Sequence, residues 1–211
     1  MGLIDDDATA PRRILVLAAH PAPRRSVAGR ALRQAARETE GVTFADLYAE
    51  YPRSDIDADR EQARAGAHDV IIFLHPFYWY STPPLLKEWQ DIVLEHGWAF
   101  GREGKALNGK LFFSALTAGN SEESYHRDGY NHFSVRELLA PLEQTADYCG
   151  MVYLPPFAFF RAGHAGEDNR LNEHVAEWKG LLAALRDRKL DIEAARKLAV
   201  LNGALKSLVK E

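Results

Sequence analysis

The sequence predicts an α/β protein whose parallel sheet is covered by helices on both faces. Three observations carry that prediction. Runs such as Val70-Ile71-Ile72-Phe73-Leu74 are wholly apolar, as strands buried on both faces are. Stretches with apolar residues at helical spacing separate them. The strand-helix alternation repeats five times between residues 12 and 186, and such alternation builds parallel sheets.

The elements follow in order. Ile14 to Ala19 is the first strand, and the prolines of His20-Pro21-Ala22-Pro23-Arg24-Arg25 end it. Ser26 is a good N-cap for a helix with Val27, Ala28, Ala31, Leu32, Ala35 and Ala36 on one side. Gly41 closes that unit. Val42 to Leu47 is the second strand, residues 57–67 a short helix, and Val70 to Leu74 the third strand. A loop with His75-Pro76 follows, and Pro83 or Pro84 opens a helix to about His96. Lys110 to Leu116 is the fourth strand and 133–148 a helix capped by Gly150. Met151 to Phe159 is the fifth strand and 168–186 the fifth helix. Five such units fit a flavodoxin-like three-layer sandwich, a five-stranded parallel sheet of order 2-1-3-4-5.

The 211 residues are expected to divide into a disordered leader (1–11), one domain (12–186) and a C-terminal helical extension (187–211). In the extension, Leu190, Ile192, Ala195, Leu198, Ala199, Leu201, Leu205 and Leu208 suggest an amphipathic helix, packing on its own domain or on a second subunit. Asp5-Asp6-Asp7 reads as a solvated tail. A content of 46% hydrophobic and 27% charged residues excludes wholesale disorder. The formal charge of −4 argues against a nucleic-acid partner. Cys149 stands alone, so neither a disulfide framework nor a cysteine-based metal site is expected. The acidic N-terminus lacks a signal-like apolar region, and no apolar run reaches the ~18 residues of a membrane span. A cytoplasmic protein is expected.

Several motifs fail. Gly104-Lys105-Ala106-Leu107-Asn108-Gly109-Lys110 resembles a P-loop, but Leu111 stands where Ser or Thr is needed and a strand follows instead of a helix. G-x-G-x-x-G, G-x-S-x-G and H-E-x-x-H are missing from the sequence, and no metal is expected.

Three loops survive at the carboxyl ends of strands, where this architecture binds ligands. The first, His20 to Ser26, enters a helix whose N-terminus suits a phosphate, with Arg24 and Arg25 nearby. The second holds four consecutive aromatics, Phe77, Tyr78, Trp79 and Tyr80, which suit a flat π ligand or a subunit contact. The third, Thr117-Ala118-Gly119-Asn120-Ser121, lets backbone approach a ligand closely. Tyr125, His126 and His132 follow as polar groups to place over the ring. A phosphate, an aromatic plane and its polar edge are the three parts of flavin mononucleotide (FMN).

With those loops in view, the chain resembles the bacterial NAD(P)H:quinone oxidoreductases of the flavodoxin-2 family. It is similar in particular to the ancillary proteins of glutathione-regulated potassium-efflux systems. The pieces that carry the resemblance are Ala19-His20-Pro21, Leu47-Tyr48, Tyr51-Pro52, His75-Pro76, Trp79-Tyr80-Ser81 and Pro83-Pro84-Leu85-Leu86-Lys87. His96 to Gly101, Leu107 to Lys110, Thr117-Ala118-Gly119 and Tyr148-Cys149-Gly150 extend it. It implies a homodimer that binds FMN and passes a hydride from NADPH or NADH through the flavin to a quinone, by a ping-pong scheme. FAD serves longer relatives, and no adenosine-binding addition is evident here. The resemblance assigns His20, Ser26, Val27, Ala28 and Gly29 to the phosphate and ribityl chain. It assigns Phe77, Tyr78, Trp79 and Tyr80 to the ring faces, and Thr117, Ala118, Gly119 and Asn120 to the pyrimidine edge. Tyr125 and His132 are the implied catalytic residues. Gly29 stands where the family usually has Asn, and Ala118 and Asn120 interrupt its usual Thr-Thr-Gly-Gly. The alternative is a regulatory subunit of a potassium-efflux membrane protein, peripheral at the inner membrane and docking through residues 187–211.

Overall fold

The computed structural model describes residues 10–203 and 205–209. Apart from residues 10 and 11, the expected leader, with Asp5-Asp6-Asp7, lies outside the described residues.

Among the described residues, the parallel sheet runs β2 (Val42–Asp46), β1 (Ile14–Ala18), β3 (Val70–Pro76), β4 (Leu111–Thr117), β5 (Val152–Tyr153), with β6 (Phe157–Phe159) also on β4. This is the flavodoxin-like order, with one strand more than expected. The extra strand is the fifth strand broken in two. Leu154-Pro155-Pro156 interrupts it because proline has no N–H for the ladder. β5 pairs with the start of β4 and β6 with its end.

Helices cover both faces. Leu15, Leu17, Phe73 and Phe112 pack under α3 (Ala58–Gly66), α4 (Pro84–Val93) and α6 (Ala140–Tyr148), with Trp89 at the centre. Val16, Ile72 and Phe113 pack under α1 (Val27–Glu38) and α7 (Arg170–Arg186), around Trp178. Alternate strand residues thus feed opposite cores, which is why the strands read as unbroken apolar runs.

Several elements depart from expectation. A short α2 (Leu47–Glu50) follows β2 directly. β3 continues through His75 and Pro76, which are strand and not loop. α4 stops at Val93, and the chain turns back to bridge His96 with Phe100 across Gly97 at φ +86°. The helix expected over 133–148 divides at Leu139 into α5 (Val135–Leu138) and α6, since Pro141 cannot donate back into the preceding turn. In α1, Val27 is exposed, while Arg33 is buried and pairs with Asp46 at the end of β2.

The segment 187–211 does not form one amphipathic helix. Its described part makes two four-residue helices, α8 (Ile192–Ala195) and α9 (Leu205–Leu208). Side-chain and backbone bonds to the sheet compete with helix here. Asn202 accepts from the Ala158 N–H (2.9 Å) and donates to the Ala158 carbonyl (2.6 Å), as a neighbouring strand would. Leu201 N–H donates to the Pro156 carbonyl. Leu190, Ala195, Leu201 and Leu208 join the core around Trp178.

Candidate functional site

A cavity of about 390 Å³ opens at the carboxyl ends of β1, β3 and β4. The β1/β3 junction is where the strand order reverses, so two loops diverge there and leave a crevice. His20, Arg25 and Ser26 form one wall, Phe77, Tyr78 and Trp79 another, and Thr117, Gly119, Ala162 and Gly163 the floor.

The first wall is tied down by its own hydrogen bonds. Residues Pro23–Arg25 make one 3-10 turn that delivers Ser26 to the start of α1. Ser26 Oγ accepts from the Gly29 N–H at 2.9 Å, while the remaining first-turn amides have no acceptor within the helix. A Cβ at Gly29 would lie 2.6 Å from that hydroxyl, so a bare residue there suits the cap. The His20 ring accepts at Nδ1 from the Ala22 N–H (3.0 Å), so the neutral ring carries its proton on Nε2. Burial lowers its pKa, and the Arg33 guanidinium lowers it further. The wall is therefore a set of donors: the Nε2–H, the Ser26 hydroxyl, the α1 amides and the Arg25 guanidinium. Such a set binds an anion.

The aromatic wall is built differently. Phe77 N–H donates to the Thr117 carbonyl at 2.8 Å, which clamps the loop to β4. Ser81 N–H then donates to the Tyr78 carbonyl at 3.0 Å, closing a tight turn. Its central residues, Trp79 (φ +49°) and Tyr80 (φ +64°), are both left-handed, the backbone of a type I′ turn. Trp79 is 92% exposed at the tip. Tyr78 meets the His20 ring edge-on at 5.8 Å and so joins the two walls. Phe77 is buried, with Tyr80 and Tyr125 packed behind it at 6.3 and 6.0 Å.

Of the residues singled out in the sequence, the fold brings His20, Ser26, Phe77, Tyr78, Trp79, Thr117 and Gly119 together. Gly29 lies just behind Ser26. Val27 and Ala28 are placed to contribute only backbone amides, since Val27 points to solvent and Ala28 is buried against Phe159 and Ala165. Ala118 is a core residue. Its N–H donates to the Phe159 carbonyl and its carbonyl accepts from Ala162, so neither is free for a ligand. Asn120 is exposed, and its carbonyl accepts from the Arg161 N–H. Tyr80 turns away and donates to Asn131 Oδ1 at 3.0 Å.

Neither implied catalytic residue lines the cavity. Tyr125 is buried between Phe77 and Phe160, and burial, then the neighbouring Tyr80 phenol, raises its pKa. His132 is exposed in a left-handed turn of the next loop. Ala162 and Gly163 were missed. The signal was available, because they are small residues just past a strand end, the same criterion that selected Gly119.

Residues 12–182 match the Flavodoxin_2 family, described as a flavodoxin-like fold. The chain is similar to the glutathione-regulated potassium-efflux system ancillary protein KefG of Pectobacterium carotovorum, 48% identical over 72% of this chain and 83% of that one. It is 41% identical to the uncharacterized NAD(P)H oxidoreductase YdeQ of Bacillus subtilis, over 77% of this chain and 86% of the relative. Among solved structures it is similar to general stress protein 14 of Treponema denticola in complex with FMN, with TM-score 0.77 and 37% identity over 82% and 99% of the two chains. An NADPH-quinone reductase from P. pentosaceus follows, with TM-score 0.73 and 28% identity over 81% and 97%.

Proposed function

The chain belongs to the Flavodoxin_2 family, and from that premise we propose that it is an FMN-dependent NAD(P)H:quinone oxidoreductase. The overall change is NAD(P)H, a proton and a quinone going to NAD(P)⁺ and a quinol. The two substrates would use one cleft in turn, a ping-pong scheme, in a homodimer in the cytoplasm.

The observation that supports this best is the composition of the cleft. A Cβ at Gly119 or at Gly163 would meet no atom within 4 Å, so their bareness serves no packing need. It leaves the floor flat beside an aromatic wall, as a fused planar ring requires. The opposite wall supplies phosphate donors. The residues present therefore fit FMN. Its ring, when bound, would supply the hydride acceptance and donation that no protein side chain can.

The chain's own residues would do the rest. Val27 and Ala28 amides, Ser26 and Arg25 would hold the phosphate, and His20 Nε2–H would donate to the phosphate or ribityl chain. Trp79 and Tyr78 would flank the ring, with Thr117 and Gly119 at its polar edge. Phe77 would exclude water. Tyr125 would act through Phe77, from behind the cleft. Replacing Tyr125 by Phe is expected to leave FMN bound and to slow reduction by NADPH by less than the ~100-fold typical of a lost proton-transfer group. An unchanged reduction rate in stopped flow would remove Tyr125 from the reading.

The test of the whole reading is a visible spectrum after incubation with FMN and desalting, then NADPH under argon. A retained yellow band that bleaches is expected. Retained colour without bleaching, or no retained colour, would overturn it.

The similarity to KefG favours a second reading, in which the same protein also docks on a potassium-efflux membrane protein. Among the described residues no helix is long and apolar enough to cross a membrane, so attachment would be through a partner. Co-sedimentation with vesicles carrying such a transporter, but not with plain vesicles, is the expected result.

A further inference from the structure

A second cavity, of about 300 Å³, lies at the opposite edge of the sheet. Its wall includes Arg12 just before β1, Asp69 just before β3 and Lys110 just before β4, with Lys105, Asn108 and Arg188 around them. β3 is seven residues long, which sets this cavity about 20 Å from the cleft described above.

The charge here opposes that of the molecule. The chain as a whole carries −4, yet among the described residues four cations and one carboxylate line this cavity. The carboxylate is shared, since Asp69 Oδ2 accepts from the Arg13 N–H at 2.7 Å while Asp69 also stabilises the Arg12 charge. Asp187, beside Arg188 in sequence, is paired with Arg186 at 2.7 Å. Arg12 donates to the Leu185 carbonyl and Arg188 to the Ala10 carbonyl, while Lys110 is engaged with the Gly66 and His68 carbonyls among its partners. Burial lowers the pKa of Arg12, the nearby Arg188 lowers it further, and Asp69 offsets part of that.

Arg188 is also held in a left-handed conformation, at φ +59°. It follows the C-terminus of α7, where Lys189 N–H returns to the Ala184 carbonyl. Glycine is the usual residue at a left-handed helix end, because a side chain there costs about 1 kcal/mol or more. An arginine kept at such a position, beside Arg12, gains a favourable partner when an anion arrives.

We propose that this cavity binds a small phosphate-bearing anion. Two guanidiniums offer forked donors to phosphate oxygens, Lys105 adds a point charge, and the Asn108 amide adds a neutral donor. The volume is at the low end for ligand sites, which suits a phosphate or diphosphate group. The site does not work as a P-loop. The Ala106, Gly109 and Lys110 N–H groups are taken by Trp98, Gly150 and Leu107 carbonyls, so side chains and not backbone would hold the anion.

Titration calorimetry of the full chain with pyrophosphate tests this, and it is independent of the flavin reading. The binding that persists in R25Q, which removes a cation from the other cleft only, is expected to weaken at least about tenfold when K105Q/R188Q is added. A melting curve like the parent's shows that K105Q/R188Q remains folded. An affinity of R25Q unaffected by adding K105Q/R188Q, or no binding by R25Q at millimolar pyrophosphate, would each overturn the proposal.

Discussion

Two His-Pro pairs end neighbouring strands, and their imidazoles carry opposite tautomers. His20, after β1, accepts at Nδ1 from the Ala22 N–H and keeps a donor at Nε2 in the wall of the cleft. His75, in β3, must donate at Nδ1, because its partner there is the Pro76 carbonyl at 2.9 Å. Its Nε2 then accepts from the Ser114 hydroxyl at 3.2 Å. One ring offers a proton to a ligand, and the other is satisfied within the core. The dipeptide is the same, so its role is set by which backbone group the first ring nitrogen meets.

Acid is the strongest way to break this comparison. Burial pushes the pKa of His75 down to about 4. A histidine held neutral in the fold stabilises it fully above about pH 6.5. That contribution is lost as pH falls towards 4, because the unfolded chain takes up the proton first. The expected loss is on the order of 3 kcal/mol from His75. His174, stacked on Phe157 and also lowered to about 4 by burial, adds a similar loss. Urea midpoints between pH 7 and 4 should therefore fall steeply in the parent and less steeply in His75→Gln. His20→Gln should change the slope least. Equal slopes in the parent and His75→Gln would mean that His75 charges in the folded state.

Ser114→Ala sharpens the same contrast. It leaves the buried His75 Nε2 without its donor, and the expected cost is about 1–3 kcal/mol by urea denaturation at pH 7. FMN affinity should be unchanged, since Ser114 faces the core and not the cleft. A loss of affinity larger than the loss of stability would mean that His75 positions the aromatic loop after all.

This asymmetry marks how much was legible beforehand. The strands were, because burial on both faces leaves an unbroken apolar signature. So was the cleft's location, because strand-helix alternation implies a doubly wound sheet and ligands bind at the carboxyl ends of its strands. The pairing of Arg33 with Asp46, and of Asn202 with Ala158, was not, because each joins residues that only the finished fold brings together. Ala118 read as a ligand contact because alanine carries no sign of whether its backbone is free. The two tautomers were hidden for the same reason. Pro155-Pro156 and Pro141, by contrast, did announce the breaks beside them, and longer apolar or helical stretches outweighed them in the reading.

Trp79 gives the smallest expected effect and the clearest contrast between the two walls of the cleft. The His20 wall is relaxed and capped, whereas the aromatic wall holds Trp79 at φ +49° with its side chain almost wholly in solvent. A left-handed L-residue costs about 1–2 kcal/mol, and a glycine there would relieve it. Glycine also frees the unfolded chain, which takes back about 0.5–1 kcal/mol. Trp79→Gly should therefore stabilise the isolated chain slightly, by about 0.5 kcal/mol, because so exposed a ring contributes little packing. Under the flavin reading the same substitution weakens FMN binding, since the ring loses a stacking face. Stability rising while affinity falls, in paired urea and FMN titrations, is the signature of strain kept for binding. Stability falling instead would mean that the indole is covered in solution, by a second copy of the chain at the same loop, and the aromatic wall would then be an interface before it is a cofactor site.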